Sequence, residues 1–299
     1  MEASRAALPV PGIKQLASDY FTLTKPKVQL LLLLTTITTM YVAGDPSIGL
    51  VAVAVIGGFL SAGGAGAFNH WYDRDIDEAM ARTATRPIPA GRISSRAALI
   101  YAFALQIASF VILTVGANVL SAFLALAGFF WYTVVYTLWL KRRSPQNIVI
   151  GGAAGAVPPL VGWAAVTGSV APTALYLFAI IFYWTPPHFW ALSLLMKDEY
   201  ARVGVPMMPV VHGEKETRRQ IVLYTLLLTL LTMLPFFFGF FGVLYAVVAV
   251  GLNAAFITLS IRLQRNADRA SALRAYLFSL SYLAVLFVAM VADAQLDLI

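Results

Sequence analysis

No cysteine occurs in the 299 residues, which removes disulfides and thiolate metal sites from consideration. Charge is scarce as well: Asp, Glu, Lys and Arg make up 12% of the chain, about half the fraction of a soluble domain. Short segments of alternating polarity are missing, which argues against a membrane β-barrel. Residues 1–27 have no apolar core of the kind a secretory signal needs. They are also too acidic and too short to read as an organellar transit peptide. A bacterial inner (cytoplasmic) membrane is therefore the expected home, ahead of an organellar inner membrane.

What the chain does have is hydrophobic residues, 60% of the total, arranged in long runs from end to end. Runs of this length read as transmembrane helices. Nine are expected, at roughly 28–44, 48–68, 96–115, 118–140, 147–167, 172–196, 220–239, 243–261 and 273–292. Short connections make 28–299 one membrane domain, preceded by a cytoplasmic segment, 1–27. The second and fifth runs, GGFLSAGGAGA and GGAAGAVPPLVG, are rich in small residues that permit close helix packing in lipid. Pro158–Pro159 and Pro186–Pro187 are expected to bend the fifth and sixth helices, either as packing kinks or to widen a cavity.

All 21 Lys and Arg fall within, or at the edge of, the segments 1–27, 69–95, 141–146, 197–219 and 262–272. The intervening loops hold none. The positive-inside rule then places the N-terminus in the cytoplasm and, with nine spans, the C-terminus in the periplasm. The same rule accounts for the net charge of +7 with no nucleic-acid partner.

One stretch breaks the pattern. NHWYDRDIDEAMARTATRPIPAG, residues 69–91, follows an uncharged apolar run and packs four acids into six residues. The spacing of Asn69, Asp73 and Asp77 places them on one helical stripe at the cytoplasmic end of the second span, with Asp75 pointing away. Oxygen ligands of this kind suit Mg²⁺, which takes one or two carboxylates and fills its shell with water and phosphate. A solvated loop of mixed charge would look similar. Two further helix ends bring more charge to the same face: Lys197, Asp198, Glu199, Tyr200 and Arg202 after the sixth span, and Lys141, Arg142 and Arg143 after the fourth. With Arg82, Arg86 and Arg92 in the first loop, the composition matches a diphosphate site bridged by magnesium.

The motif NHWYDRDID resembles the N-x-x-x-D-x-x-x-D signature of the UbiA superfamily of membrane prenyltransferases. NHWYDRDIDEAMARTATRPIPAGRIS, WTPPHFWALSLLMKDEYARVGVPMMPVVHG and LWLKRRSPQNIVIGGAAGAVPPLVGW resemble its haem-farnesylating branch. The resemblance covers nearly the whole chain. It implies nine helices ringed around a central cavity, with two acidic motifs that bind Mg²⁺–diphosphate beneath a cytoplasmic cap. Transferred to this chain, Asn69, Asp73, Asp77 and Asp198 would be the metal and catalytic residues. Arg82, Arg86, Lys141, Arg142, Lys197, Tyr200 and Arg202 would face the diphosphate. The second motif of many relatives carries two aspartates spaced by four; here Arg202 follows Asp198 at that spacing. The resemblance also implies the substrates, farnesyl diphosphate and haem B, the product haem O, and a haem-modifying oxygenase as a downstream partner.

His188, inside the sixth span beside the proline pair, is expected to face the interior, capping a freed carbonyl or touching haem, in the latter case as an axial ligand to iron. Trp184, Phe189 and Trp190 could flank a porphyrin or serve packing. His70 reads as a packing or capping residue and His212 as solvated. A quinone-precursor or other aromatic acceptor is the nearest alternative reaction. A transporter would hold its acids near the midplane, and a phosphatidyl transferase expects D-x-x-D-G-x-x-A-R, which YDRDIDEAMAR lacks.

Overall fold

The computed structural model describes residues 12–296. Parts of two expectations, for the 1–27 segment and for the periplasmic C-terminus, therefore lie outside the described residues. The described residues are helical throughout, without strands.

An amphipathic helix, α1 (Ile13–Leu23), leads through a turn at Lys25 into α2 (Pro26–Ala43). Then come α3 (Ile48–Tyr72), a short α4 (Arg74–Ala79) and α5 (Ser95–Gly116). After α6 (Val119–Phe130) the chain continues unbroken as a π-helical segment, Trp131–Leu140. The short α7 (Asn147–Gly151) precedes α8 (Ala153–Thr167) and α9 (Pro172–Leu195). Two small helices, α10 (Lys197–Arg202) and α11 (Met208–Val211), lead to α12 (Gly213–Phe237), α13 (Val243–Asn266) and α14 (Arg269–Gln295).

Side chains that accept the first free amides fix several starts: Ser47 caps α3, Ser94 α5, Asn118 α6 and Asp268 α14. The start of α13 uses a tertiary cap instead, where buried Asp293 of α14 accepts from the amides of Gly242 and Tyr245. In lipid no water would serve those groups, so a partner from a neighbouring helix must.

Among the described residues, nine long helical segments occupy the nine expected positions. Eight are long and apolar enough to cross a membrane. The remaining one, α9, has 24 residues but is diluted by Tyr183, Trp184, Thr185, the two prolines and His188. The segments close a ring in chain order: α2, α3, α5, α6, α8, α9, α12, α13 and α14, with α14 returning to α2. Contacts of α2 with α8 and of α9 with α14 cross the ring. Large apolar side chains stay exposed on the outside, as on α5 with Ile100, Phe103, Ile107 and Val111, the face expected of a lipid-solvated protein.

The small residues act where helices meet most closely. A Cβ on Gly64 would lie 2.6 Å from the carbonyl oxygen of Ala102 on α5, and one on Gly162 2.5 Å from that of Thr36 on α2. The proline pairs do not interrupt their helices, because α8 and α9 run continuously across them. The break in the fifth segment falls earlier, at Gly152 between α7 and α8.

Candidate active site

Helix α3 does not run through the acidic stretch as one straight stripe. It ends at Tyr72, and Asp73 (φ −85°, ψ 8°) serves both as its C-cap and as the N-cap of α4. Helical backbone bonding still spans the joint, with the Asp73 amide donating to the Asn69 carbonyl at 2.9 Å and the Asp77 amide to the Asp73 carbonyl at 2.8 Å. The spacing of four is preserved, so Asn69, Asp73 and Asp77 are all brought into the protein and all are buried.

Each of the three meets a cation. Lys141, just past the π-helical segment, pairs with Asp73. Arg86, from the loop after α4, donates to both Asp77 oxygens at 2.8 and 2.7 Å. Lys25 donates from its Nζ to Asn69 Oδ1 at 2.6 Å and lies 3.4 Å from the Tyr132 hydroxyl. The Asn69 amide nitrogen in turn donates to Asp73 Oδ2 at 2.7 Å and to Thr137 Oγ1 at 3.2 Å. Burial, with Arg86 and Lys141 close by, pulls the Lys25 ammonium down to about 7.

Asp75 does point away, its side chain 63% exposed, but it is not idle. Arg142 donates to both of its oxygens at 2.7 Å, and this pairing holds the Asp75 carboxyl below the usual range. The same guanidinium donates to the Tyr72 carbonyl at 3.0 Å, reaches Asp73 at 3.5 Å and lies over the Tyr72 ring, 4.5 Å from its centre. Asp75 is thus a brace for Arg142, a role that its direction away from the stripe did not announce. Four basic side chains surround three carboxylates, an excess of positive charge that is present when Lys25 is protonated and that favours an anion.

The second acidic helix end is arranged otherwise. Asp198 on α10 is exposed and makes no hydrogen bond or ion pair among the described residues. Lys197 turns to Glu214 of α12 at 3.0 Å. Arg82 and Arg202 are exposed, and Arg202 lines a cleft of about 220 Å³ with Asp75, Ile76 and Arg142. Tyr200 packs against the Ile76–Met80 side of α4, and burial raises its hydroxyl. Beside it, Glu199 keeps one carboxylate oxygen, Oε2, enclosed without a partner. The structure therefore gathers Asn69, Asp73, Asp77, Arg86, Lys141 and Arg142, and leaves Lys197 and Asp198 outside that cluster.

Three participants escape a reading by spacing: Lys25, Tyr132 and Thr137. Lys25 stands 44 positions from Asn69 in the chain. Its one local signal is the TKPK turn, where Lys25 adopts a left-handed φ of 55° to start α2.

Among the described residues, no group of three or more acidic, His or Cys side chains could hold a metal alone. The donor set at Asn69, Asp73 and Asp77 is instead two carboxylates and an amide oxygen, all hard oxygen ligands. That fits Mg²⁺, which commonly draws its remaining ligands from substrate phosphate and water.

Deeper along α9, Trp184 stacks on the His188 ring at 4.3 Å with an interplanar angle of 18°. His188 Nδ1 lies 2.7 Å from Ser279 Oγ of α14, so the ring caps no carbonyl freed by the prolines. Trp184 donates its indole N–H to the Ser279 carbonyl at 2.8 Å. His70 is buried with Nδ1 unpartnered, and His212 is exposed.

A model of the UbiA prenyltransferase family matches residues 32–283. A protoheme IX farnesyltransferase of Roseiflexus castenholzii is 55% identical over 284 residues, 94% of this chain and 53% of the relative. One from Gloeobacter violaceus is 48% identical over 294 residues, 97% of this chain and 96% of the relative. The chain spans about half the length of the first relatives it matches, including that of Chloroflexus aurantiacus at 49%. Among solved structures, a digeranylgeranylglyceryl phosphate synthase superposes with a TM-score of 0.77 at 18% identity, covering 94% of this chain and 99% of its own. A UbiA homologue from Archaeoglobus fulgidus bound to DMAPP and Mg²⁺ gives 0.68 at 16% identity, covering 90% and 99%. The chain belongs to the UbiA prenyltransferase family.

Proposed function

We propose that the chain transfers a farnesyl group from farnesyl diphosphate to a vinyl group of haem B, giving haem O, with Mg²⁺ as cofactor. The observation that carries the diphosphate half is the gathering of Lys25, Arg86 and Lys141 around buried Asn69, Asp73 and Asp77 at the helix ends. The acceptor half rests on the relatives named above.

In this reading Lys25, Arg86, Lys141 and Arg142 bind the diphosphate oxygens, and Asp73 and Asp77, with Asn69 beside them, face the metal. The metal, when bound, neutralises charge on the diphosphate. Fixed cations stabilise the leaving group as the allylic C–O bond breaks, the kind of preorganised electrostatics that dominates such reactions. The vinyl group supplies the electron pair for the new C–C bond. Water then adds its oxygen to the resulting carbocation and loses a proton, which leaves a hydroxyethylfarnesyl substituent and free diphosphate. A ring of apolar helices keeps bulk water from the allylic cation beforehand. Arg202 borders the cleft beside Arg142, and with Arg82, Tyr200 and Glu199 it would close on the diphosphate from the α10 side, while Lys197 and Asp198 would need to turn inward to take part. The site faces the cytoplasm of a bacterial inner membrane, and the haem O product passes to a haem-modifying oxygenase.

The test is incubation of the purified chain with farnesyl diphosphate, Mg²⁺ and haem B, with mass analysis for farnesylated haem. A parallel arm offers a quinone precursor instead. Prenylation of the quinone precursor alone would overturn the acceptor assignment while leaving the diphosphate site intact.

A further inference from the structure

We propose that His188 is the axial ligand through which the chain holds the iron of its porphyrin acceptor, with Ser279 as the positioning residue that makes it competent. This rests on the reading of haem B as acceptor.

Hydrogen counting carries the argument. Ser279 Oγ lies 2.6 Å from the carbonyl oxygen of Tyr276 and 2.7 Å from His188 Nδ1. A carbonyl only accepts, and a serine hydroxyl has one proton. That proton must lie between Ser279 and Tyr276, for otherwise two acceptor oxygens would face each other at 2.6 Å. The His188–Ser279 bond then requires Nδ1 to donate. In the neutral ring this leaves Nε2 without a proton, its lone pair directed outward. Metal-ligating histidines are held in the same way, the second nitrogen donating to a fixed acceptor that sets tautomer and orientation.

The surroundings leave Nε2 little else to do. Trp184 covers one face of the imidazole, and the Tyr276 ring lies 5.0 Å away at 31°. Phe189 meets it edge-on at 5.2 Å. Trp184 is itself tied to the Ser279 carbonyl, so a single residue of α14 locks both rings. The residue keeps 7% of its surface exposed, and Nε2 has no hydrogen-bond partner among the described residues. No protein group therefore competes with a ligand for the Nε2 lone pair. Trp184 thus serves the acceptor by clamping the imidazole, where the sequence left open a ring flanking the porphyrin or a packing residue.

The chemistry needed is coordination alone: Nε2 gives its lone pair to the iron, and no bond breaks and no electron is transferred. The ligand class is a metalloporphyrin with an open axial position.

The experiment compares haem B with metal-free protoporphyrin IX on the purified full chain in detergent, by titration and by the Soret spectrum. Wild type is expected to bind haem B at least about tenfold tighter than the metal-free ring and to show a histidine-ligated spectrum. His188→Ala should bind the two equally and lose that spectrum, while affinity for farnesyl diphosphate is unchanged; His188→Gly should regain it with added imidazole. Ser279→Ala should weaken haem B by about 10-fold or more with little effect on the metal-free ring. If His188→Ala weakens both porphyrins equally, or leaves the haem spectrum unaltered, His188 is a packing residue and the inference is overturned; prenylation of haem B by the wild type then keeps the acceptor assignment standing. If wild type neither binds nor prenylates haem B, the acceptor assignment itself falls.

Discussion

Alanine replacement of the three aspartates in turn separates the buried carboxylates from the braced one. Asp73→Ala removes a carboxylate from among Lys141, Arg142 and the Asn69 amide. The Lys141 side chain is 16% exposed and that of Asp73 1%, so little water can replace the lost partner. Breaking a buried pair from one side costs about 3–5 kcal/mol, and the residual exposure of Lys141 places this case near the lower figure. Loss of a contact that acts on the transition state lowers turnover by a further factor of about 10². Asp77→Ala strands Arg86, whose side chain is 23% exposed, and should show a similar loss of turnover with a smaller loss of stability. Asp75→Ala releases Arg142 from a mostly solvated pair. Such pairs contribute about 0–1 kcal/mol, equivalent to at most about fivefold in affinity for the diphosphate. The assay is the initial rate of prenyl transfer at limiting and saturating farnesyl diphosphate, normalised to folded protein by thermal unfolding in detergent. Equal losses at positions 73, 75 and 77, or the greatest at 75, would refute the division into two facing carboxylates and one brace.

Lys25→Met should raise KM for farnesyl diphosphate by about 10-fold or more and leave haem B affinity unchanged in a direct titration, since one charge-assisted contact is worth about 1.5–3 kcal/mol. Gly64→Val should lower the unfolding temperature, because a side chain there drives into the Ala102 carbonyl; overpacking costs about 1–3 kcal/mol, and an unchanged melting curve would mean that α3 and α5 can separate freely. A reporter inserted between Thr167 and Pro172 should read as periplasmic, and one at 203–206 as cytoplasmic; the reverse would place the aspartates on the wrong side of the membrane.

The long helical segments were legible because an apolar run of twenty residues has few other uses, and the ring follows chain order. Arg86, Lys141 and Arg142 were legible as cations at the right depth, though their individual carboxylate partners were not. What stayed hidden depends on contacts distant in the chain. Lys25 reaches Asn69 only because the close packing of Gly63 and Gly66 brings the α1–α2 turn against α3. The ten-residue π-helical segment that presents Tyr132, Tyr136 and Thr137 has no signature in WYTVVYTLWL. Lys197 looked like a phosphate ligand by its neighbours, yet Glu214 lies within reach from α12. Ser279 is one of many serines and acquires meaning only from the two atoms beside its hydroxyl.

The loop that carries Arg86 is also tied to the outer helix α1, where Arg92 donates to both oxygens of buried Asp19 at 2.9 and 3.0 Å. One stripe of the free side of α1 is apolar, with Ile13, Phe21 and Leu16 exposed by 88%, 54% and 37%, beside a polar stripe of Lys14, Gln15 and Ser18. An amphipathic helix of this kind rests with such residues in the headgroup and acyl boundary. Any swing of the loop that keeps the Asp19–Arg92 pair must drag those side chains through lipid. The stiffness of the loop that brings Arg86 to Asp77 is therefore a property of the bilayer as much as of the protein, and lipid packing should set how readily that loop moves.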